Sequence, residues 1–381
     1  MRLHLALIFG VALLAGAPPD ATAEIRIGFA NPLTGSLSRS GERNRIAVEM
    51  AVADLNARGG VLREPVALII ADDACGLQKS VEAARQLVAA GVRAVIGHGC
   101  SHSSLLAAGI YETADILMIT SSSTHPRLTE EGRQNVFRLI GRDDRQGELA
   151  GDFLAEHWDG REIAVLHDGG TYGERLAIEA RQQLRARGER EAIYDIYEPG
   201  ADDYAALVTR LQRARIDVLY IGGYGPDAGL ILRTARARGL DLQLVGGDGL
   251  GMDEFWTIAG GTGEGAVFSG RPDVRHRPQA AELLARFREH GLGTRPSGIG
   301  AYAAIQVWAQ AVERVGTVEL APVARMLRRG RFETVLGPIA FNDKGDLRNA
   351  PWQWQVWTNG AYVPLQRPST LVGHSVIFSL R

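Results

Sequence analysis

Four polar clusters in this chain are built for chemistry, and each stands where a strand-like run gives way to a turn or helix. In an open parallel sheet, ligands collect beyond the carboxyl ends of the strands, so these are the places to inspect. Gly97-His98-Gly99-Cys100-Ser101-His102-Ser103-Ser104 sets Ser101 at a helix entrance. A hydroxyl beside unpaired helix N–H groups makes a pocket for a carboxylate, although a plain helix N-cap uses a serine in the same way. Thr120-Ser121-Ser122-Ser123-Thr124 follows another strand. Its hydroxyls are ordinary turn formers taken alone and gain meaning as neighbours of Ser101. Tyr220-Ile221-Gly222-Gly223-Tyr224-Gly225-Pro226 pairs glycines that admit a ligand to the backbone with the ring and hydroxyl of Tyr224. Gly246-Gly247-Asp248-Gly249 places a carboxylate between glycines, where Asp248 either reaches into a cleft to meet a cation or sits in a surface turn.

Other clusters fail on inspection. Gly169-Gly170-Thr171-Tyr172-Gly173 lacks the Lys-Ser/Thr ending of a phosphate loop and the spacing of a dinucleotide fingerprint, so Tyr172 reads as a cleft or cap residue. His167-Asp168 and Asp72-Asp73 have no nucleophile elbow or histidine spacing to go with them and read as polar strand ends. No catalytic residue, metal site or cofactor is expected. Trp352, Trp354 and Trp357 read as one alternating strand face, core rather than a platform for stacking bases.

The elements that must position these clusters alternate strand and helix from Glu24 onward. Strand candidates at 25–30, 66–71, 94–97, 116–120 and 136–140 interleave with helices at 42–56, 81–89 and 103–113. A second unit repeats the plan, with helices at 146–157, 172–187, 204–213 and 226–238 and strands at 163–167, 192–197, 218–222, 242–245 and 266–269. Helices at 278–290, 299–315 and 321–329 follow, then the aromatic strand at 352–357 and a hairpin at Asn359-Gly360. This is the pattern of parallel sheets covered by helices on both faces. With no flexible tether between the units, two lobes joined by short crossovers should hinge rather than tumble.

At 381 residues the chain is long for one domain and suits two. The 42 Lys plus Arg nearly balance 44 Asp plus Glu, so nothing in the charge favours nucleic acid. Arg2, the apolar run from Leu5 to Ala15 and Ala21-Thr22-Ala23 have the layout of a secretory signal, expected to be cut after Ala23. That address is oxidising, so Cys75 and Cys100 can close a bridge if adjacent strands bring their ends together; two buried free thiols are the other reading.

The ordered series of motifs resembles the periplasmic leucine/isoleucine/valine-binding protein family that feeds ABC importers. The resemblance rests on Asp54-Leu55-Asn56-Ala57-Arg58-Gly59-Gly60, Asp72-Asp73-Ala74-Cys75, Val95-Ile96-Gly97-His98-Gly99-Cys100-Ser101 and Ile116-Leu117-Met118-Ile119-Thr120. Tyr172-Gly173-Glu174, Gly222-Gly223-Tyr224 and Gly337-Pro338 with Asp343-Lys344-Gly345-Asp346-Leu347 continue it, and it covers about Glu24 to Val363. It implies an α/β fold of two doubly wound parallel-sheet lobes joined by three crossovers, the type I periplasmic binding or Venus-flytrap architecture. It also implies a Cys75–Cys100 disulfide and a ligand trapped as the lobes close. Ser101 matches the residue holding an amino acid's carboxylate, Ser122 the carbonyl taking its ammonium, and Thr124 the threonine touching both. Tyr224 and Asp248 match the closing lobe's contributions, with Asp248 in place of a glutamate. Ser40 stands where the family has an aromatic side-chain wall and Gly99 where it has leucine, changes that enlarge or polarise that pocket and weaken the hold on an aliphatic ligand.

These readings combine into a non-enzymatic periplasmic receptor, expected as a monomer, that captures an α-amino acid, branched-chain or otherwise hydrophobic, and delivers it to a membrane ABC permease. The expected division is a signal at 1–23, one lobe from 24–141 plus 272–347, the other from 142–271 plus 348–366, and a tail at 367–381. A ligand sensor of the same fold signalling to a membrane partner is the alternative, and an α/β enzyme a more distant one.

Overall fold

The structure, a computed structural model, describes residues 24–292 and 298–365. The expected signal and tail lie outside these residues. Five parallel strands form the first sheet, in the order Val66–Asp72, Ile25–Asn31, Ala94–Gly97, Leu117–Thr120 and Val136–Arg138. Their apolar residues are buried on both faces, as a helix-covered parallel sheet requires. Phe29, Ile96, Ile119 and Phe137 pack against Phe287, Ile305 and Trp308. Val95 and Met118 meet Leu87 and Tyr111 on the other side. Burying side chains of this size contributes roughly 1.5–3 kcal/mol each, an upper estimate for a compact unfolded state.

The second sheet runs Ala361–Pro364, Gln353–Thr358, Val267–Gly270, Gln243–Gly246, Val218–Gly222, Ile163–His167 and Ile193–Ile196, parallel except for the first two strands. The chain passes between the sheets three times: after Val136–Arg138 into the helix Asp143–His157, after Val267–Gly270 into the helix Pro278–Glu289, and on entering Gln353–Thr358. The α/β architecture is therefore the expected one, two parallel-sheet lobes and three crossovers. No helix among the described residues is long and apolar enough to cross a membrane.

Two expectations need correction. Trp354 and Trp357 are separated by an odd number of residues and so face opposite sides of their strand. Trp357 is fully buried against Phe255, Trp256 and Phe268, whereas Trp354 stacks on Phe153 with ring centroids 4.1 Å apart. Cys75 and Cys100 do form a disulfide, with Cα atoms 5.7 Å apart, but not from adjacent strands. Ile25–Asn31 lies between Val66–Asp72 and Ala94–Gly97. The bridge closes because Cys75 sits beyond the strand end in a turn at φ 49°, which carries it over the intervening strand toward the helix Ser101–Thr113. His102 Nε2 lies 2.6 Å from the Cys75 carbonyl and holds the turn from the helix side.

Candidate functional site

Ser101 is the first residue of its helix, and its hydroxyl makes no cap bond. Instead its Oγ accepts from the backbone N–H groups of Thr124 (3.3 Å) and His125 (3.4 Å), so the hydroxyl proton is left to donate elsewhere. Within Thr120–Thr124 the hydroxyls divide by task. Thr120 Oγ1 donates to the His98 carbonyl at 3.0 Å and accepts from the N–H of Ser122 and Ser123. Ser123 bonds the same carbonyl at 3.2 Å and Ser104 at 2.7 Å. Those two shape the turn. Thr124 Oγ1, by contrast, is buried without a hydrogen-bond partner among the described residues. His98 turns away from the cleft into a buried chain, 2.7 Å from Asp73 and 3.0 Å from Tyr111, and is structural.

The second lobe brings Tyr172, Tyr224 and Asp248 together. Tyr172 Oη donates to Asp248 Oδ1 at 2.8 Å and accepts from Gly249 N–H at 2.9 Å. The Tyr172 and Tyr224 rings lie 5.1 Å apart. Gly249 must stay bare, because a Cβ there would come within 2.4 Å of the Gly223 carbonyl and 3.2 Å of the Tyr172 ring. Asp248 keeps a little surface on the cavity yet is wrapped by protein. Burial pushes its carboxyl up to about 6, against the pull of hydrogen bonds from Tyr172 and Gln146 and the charge of Arg271.

Asp143, which sequence reasoning did not single out, completes the polar group. It opens the helix after the first crossover, its N–H donates to the Thr124 carbonyl at 3.0 Å, and both carboxylate oxygens are buried without a normal hydrogen bond among the described residues. Burial drives its carboxyl well above the usual range. Thr124 Oγ1 is near enough to oppose this, while the charge of Asp248 adds to it. Both acidic side chains are thus raised by burial, which the charges of Arg138 on Asp143 and Arg271 on Asp248 do not outweigh. Its only sequence signal is its position, a few residues past the strand Val136–Arg138.

A cavity of about 170 Å³ between the lobes is lined by Ser40, Ser122 and Asp248, with Asn44, Arg271, Gln355, Met252 and Phe268. Ser101, Thr124, Tyr172, Tyr224 and Gly99 are not on its walls. Ser40 meets the opposite lobe: its N–H and Oγ donate to the Glu254 carboxylate at 2.8 and 2.6 Å. Arg43 on the same helix pairs with Asp253. These contacts close the lobes on each other, with Glu254 against Ser40 at the edge of the cavity. Nor is there open space where a side chain on Gly99 would point, since its Cβ would fall 2.8 Å from Pro32 Cδ and 3.0 Å from Asn31 Oδ1. Among the described residues no group of three or more His, Cys, Asp or Glu could hold a metal ion.

Two parallel-sheet lobes joined by three crossovers, with Ser40 and Ser122 of one and Asp248 of the other on a shared cavity, are the architecture of a bilobal solute-binding protein. The periplasmic binding protein family matches residues 24–361, and this chain belongs to it. A Leu/Ile/Val-binding protein homolog of Brucella abortus is 36% identical over 95% of this chain and 99% of its own length. A leucine-, isoleucine-, valine-, threonine- and alanine-binding protein of Pseudomonas aeruginosa is also 36% identical, over 94% and 97%. Among solved structures, a leucine binding protein of Thermotoga maritima superposes with a TM-score of 0.82 at 25% identity, covering 89% of this chain and 97% of that one. An ABC transporter substrate-binding protein of Desulfitobacterium hafniense, in complex with Leu, superposes with a TM-score of 0.73 at 28% identity over 90% and 100%.

Proposed function

We propose that this protein captures an α-amino acid between its lobes and delivers it to the membrane permease of an ABC importer. In this reading it works as a monomer in the periplasm, after removal of residues 1–23. The ligand carboxylate is held by the Ser101 hydroxyl, the free N–H groups of that helix's first turn and Tyr224. Its ammonium lies against the Ser122 carbonyl, Thr124 and Asp248, with Tyr172 fixing the Asp248 carboxylate. The observation that carries the reading is the desolvated Asp143–Asp248 pair, whose raised carboxyls the charges of Arg138 and Arg271 only partly offset, opposite hydroxyls on the first lobe. An incoming zwitterion supplies a further cation and presents its anion to the donors.

The relatives that share 36% of their residues are named for small neutral amino acids, which supports the same class here. Ser40, Asn44 and Gln355 give the cavity wall less apolar surface than a branched side chain would use. A thermal-shift panel tests the class: amino acids should raise the melting temperature in the order of their affinities, with about 2.7 kcal/mol of added stability at a hundred times Kd. The matching keto acids, which lack the ammonium, and nucleotides should not. Keto acids that stabilise as well as amino acids would defeat the assignment.

A further inference from the structure

Behind the cleft lies a larger cavity, about 430 Å³, whose walls come from all three crossovers: Ile140 and Gly141 from the first, Arg271, Pro272 and Val274 from the second, Leu347 to Trp352 from the third. Among the described residues four arginines line it, Arg271, Arg277, Arg331 and Arg348, and no aspartate or glutamate does. Their known partners are almost all neutral. Arg271 donates to the Leu139 and Ser121 carbonyls at 2.7 and 2.9 Å, Arg277 to the Leu336 carbonyl, and Arg348 to the Phe341 carbonyl at 2.8 Å. Among the described residues Arg331 has an ion-pair partner in Glu333 at 3.7 Å, but both side chains are more than two-thirds exposed, where such a pair is worth little, and Arg271 feels the charge of Asp248 without a direct bond to it. The rest of the wall is apolar, with Val274, Leu336, Ile339 and the Trp352 ring.

Each guanidinium has five N–H donors in a planar fork that matches a carboxylate, and those used on carbonyls leave others over. A bare inorganic anion would leave the apolar wall wet, and a neutral apolar molecule would leave the positive charges unanswered. We infer that this hinge cavity is a second ligand site, for a small organic carboxylate with an apolar body, held by Arg277 and Arg348 with its body against Trp352 and Val274. Arg271 is consistent with the inference: burial lowers its guanidinium to about 10, although the charge of Asp248 opposes the shift. Because Arg271 also lines the amino-acid cavity, it is the shared wall of the two sites.

The test is calorimetric titration of the intact protein with benzoate, with benzamide as the neutral isostere and inorganic phosphate as an anion without an apolar body. Benzoate should bind saturably, and Arg277→Gln and Arg348→Gln should each weaken it about tenfold, the loss of one charge-assisted hydrogen bond. Both arginines are exposed and outside the cleft, so amino-acid binding should be unchanged in these variants, and the melting temperature should fall only slightly with loss of their bonds to the Leu336 and Phe341 carbonyls. No saturable benzoate binding, equal binding of benzamide or phosphate, or unchanged benzoate affinity in both variants would overturn the inference. The last result would place benzoate somewhere other than the hinge.

Discussion

Replacing Asp248 with asparagine removes one charge while keeping an oxygen that can accept from Tyr172 at the present 2.8 Å. The ligand ammonium would then enter a closed cleft without an ionised partner. An unpaired buried charge costs about 3–5 kcal/mol, so affinity should fall roughly a hundredfold to a thousandfold. The pH dependence supplies a second, independent reading. With the Asp248 carboxyl raised to about 6, only about a tenth of it is ionised at pH 5, and wild-type affinity there should be about tenfold below its value at pH 7. Asp248→Asn should flatten that slope.

Ligand-free stability should move the opposite way. The folded protein holds the Asp248 proton more tightly than the unfolded chain does, so unfolding free energy declines as pH rises from 3.8 to about 6. The decline is at most about 3 kcal/mol, and the variant should lack it. Calorimetric titration at pH 5, 6 and 7, with urea unfolding of the empty protein, measures both effects. If Asp248→Asn binds amino acids within about threefold of wild type at pH 7, the ammonium is not where this reasoning puts it.

Glu254→Ala should leave two donors of Ser40 without their acceptor and speed ligand release about tenfold or more, measured by stopped-flow displacement; unchanged release would mean the contact does not hold the lobes shut. Cys75→Ser with Cys100→Ser should lower unfolding free energy by about 3 kcal/mol, the chain-entropy value for a loop of 25 residues, read from the urea midpoint. Asp346→Ala should cost about 3–5 kcal/mol, because Arg138 is fully buried and Asp346 is its one carboxylate partner among the described residues, at 3.0 Å from Nε. Burial alone would raise the Asp346 carboxyl, but Arg138 holds it below the usual range, so that contribution is complete above pH 3.8 and fades in stronger acid.

The alternation of strands and helices was legible because each element is long enough to show its period, as in Ile163–His167 and Thr171–Ala186. The place of Asp248 on the cavity wall was legible because glycines flank a carboxylate at a strand end. What escaped was short or distant. The helix Asp253–Ala259 has seven residues beside a glycine-rich stretch, too few to establish a period, and it carries Glu254. Glu254 meets Ser40 across 214 residues of sequence, and no local pattern announces such a contact. Asp143 escaped because its burial comes from tertiary packing, with its N–H on the Thr124 carbonyl of the first lobe, and no local pattern announces it. Cys75 and Cys100 were paired for the right chemical reason on the wrong strand geometry, since strand order is a property of the sheet and not of any one strand.

The closing contacts and the acidic pair act on different terms of the binding energy. Ser40–Glu254 and Arg43–Asp253 join the lobes at the cleft without a ligand, so they set how much of the empty protein is closed. Apparent affinity scales with that population for a ligand that binds the closed form. Asp143 and Asp248 both stand on the second lobe, and closing over them strips water from two carboxyls that repel each other when ionised. Closure of the empty protein is therefore favoured at the rim and penalised at the centre. A ligand with an ammonium group removes the central penalty, whereas one without it leaves the penalty in place however well its remaining atoms fit. Selectivity for amino over keto acids then comes mainly from the cost of shutting the wrong molecule inside. Weakening the rim through Glu254 should lower affinity for every ligand alike, and weakening the centre through Asp248 should lower it only for those carrying the cation.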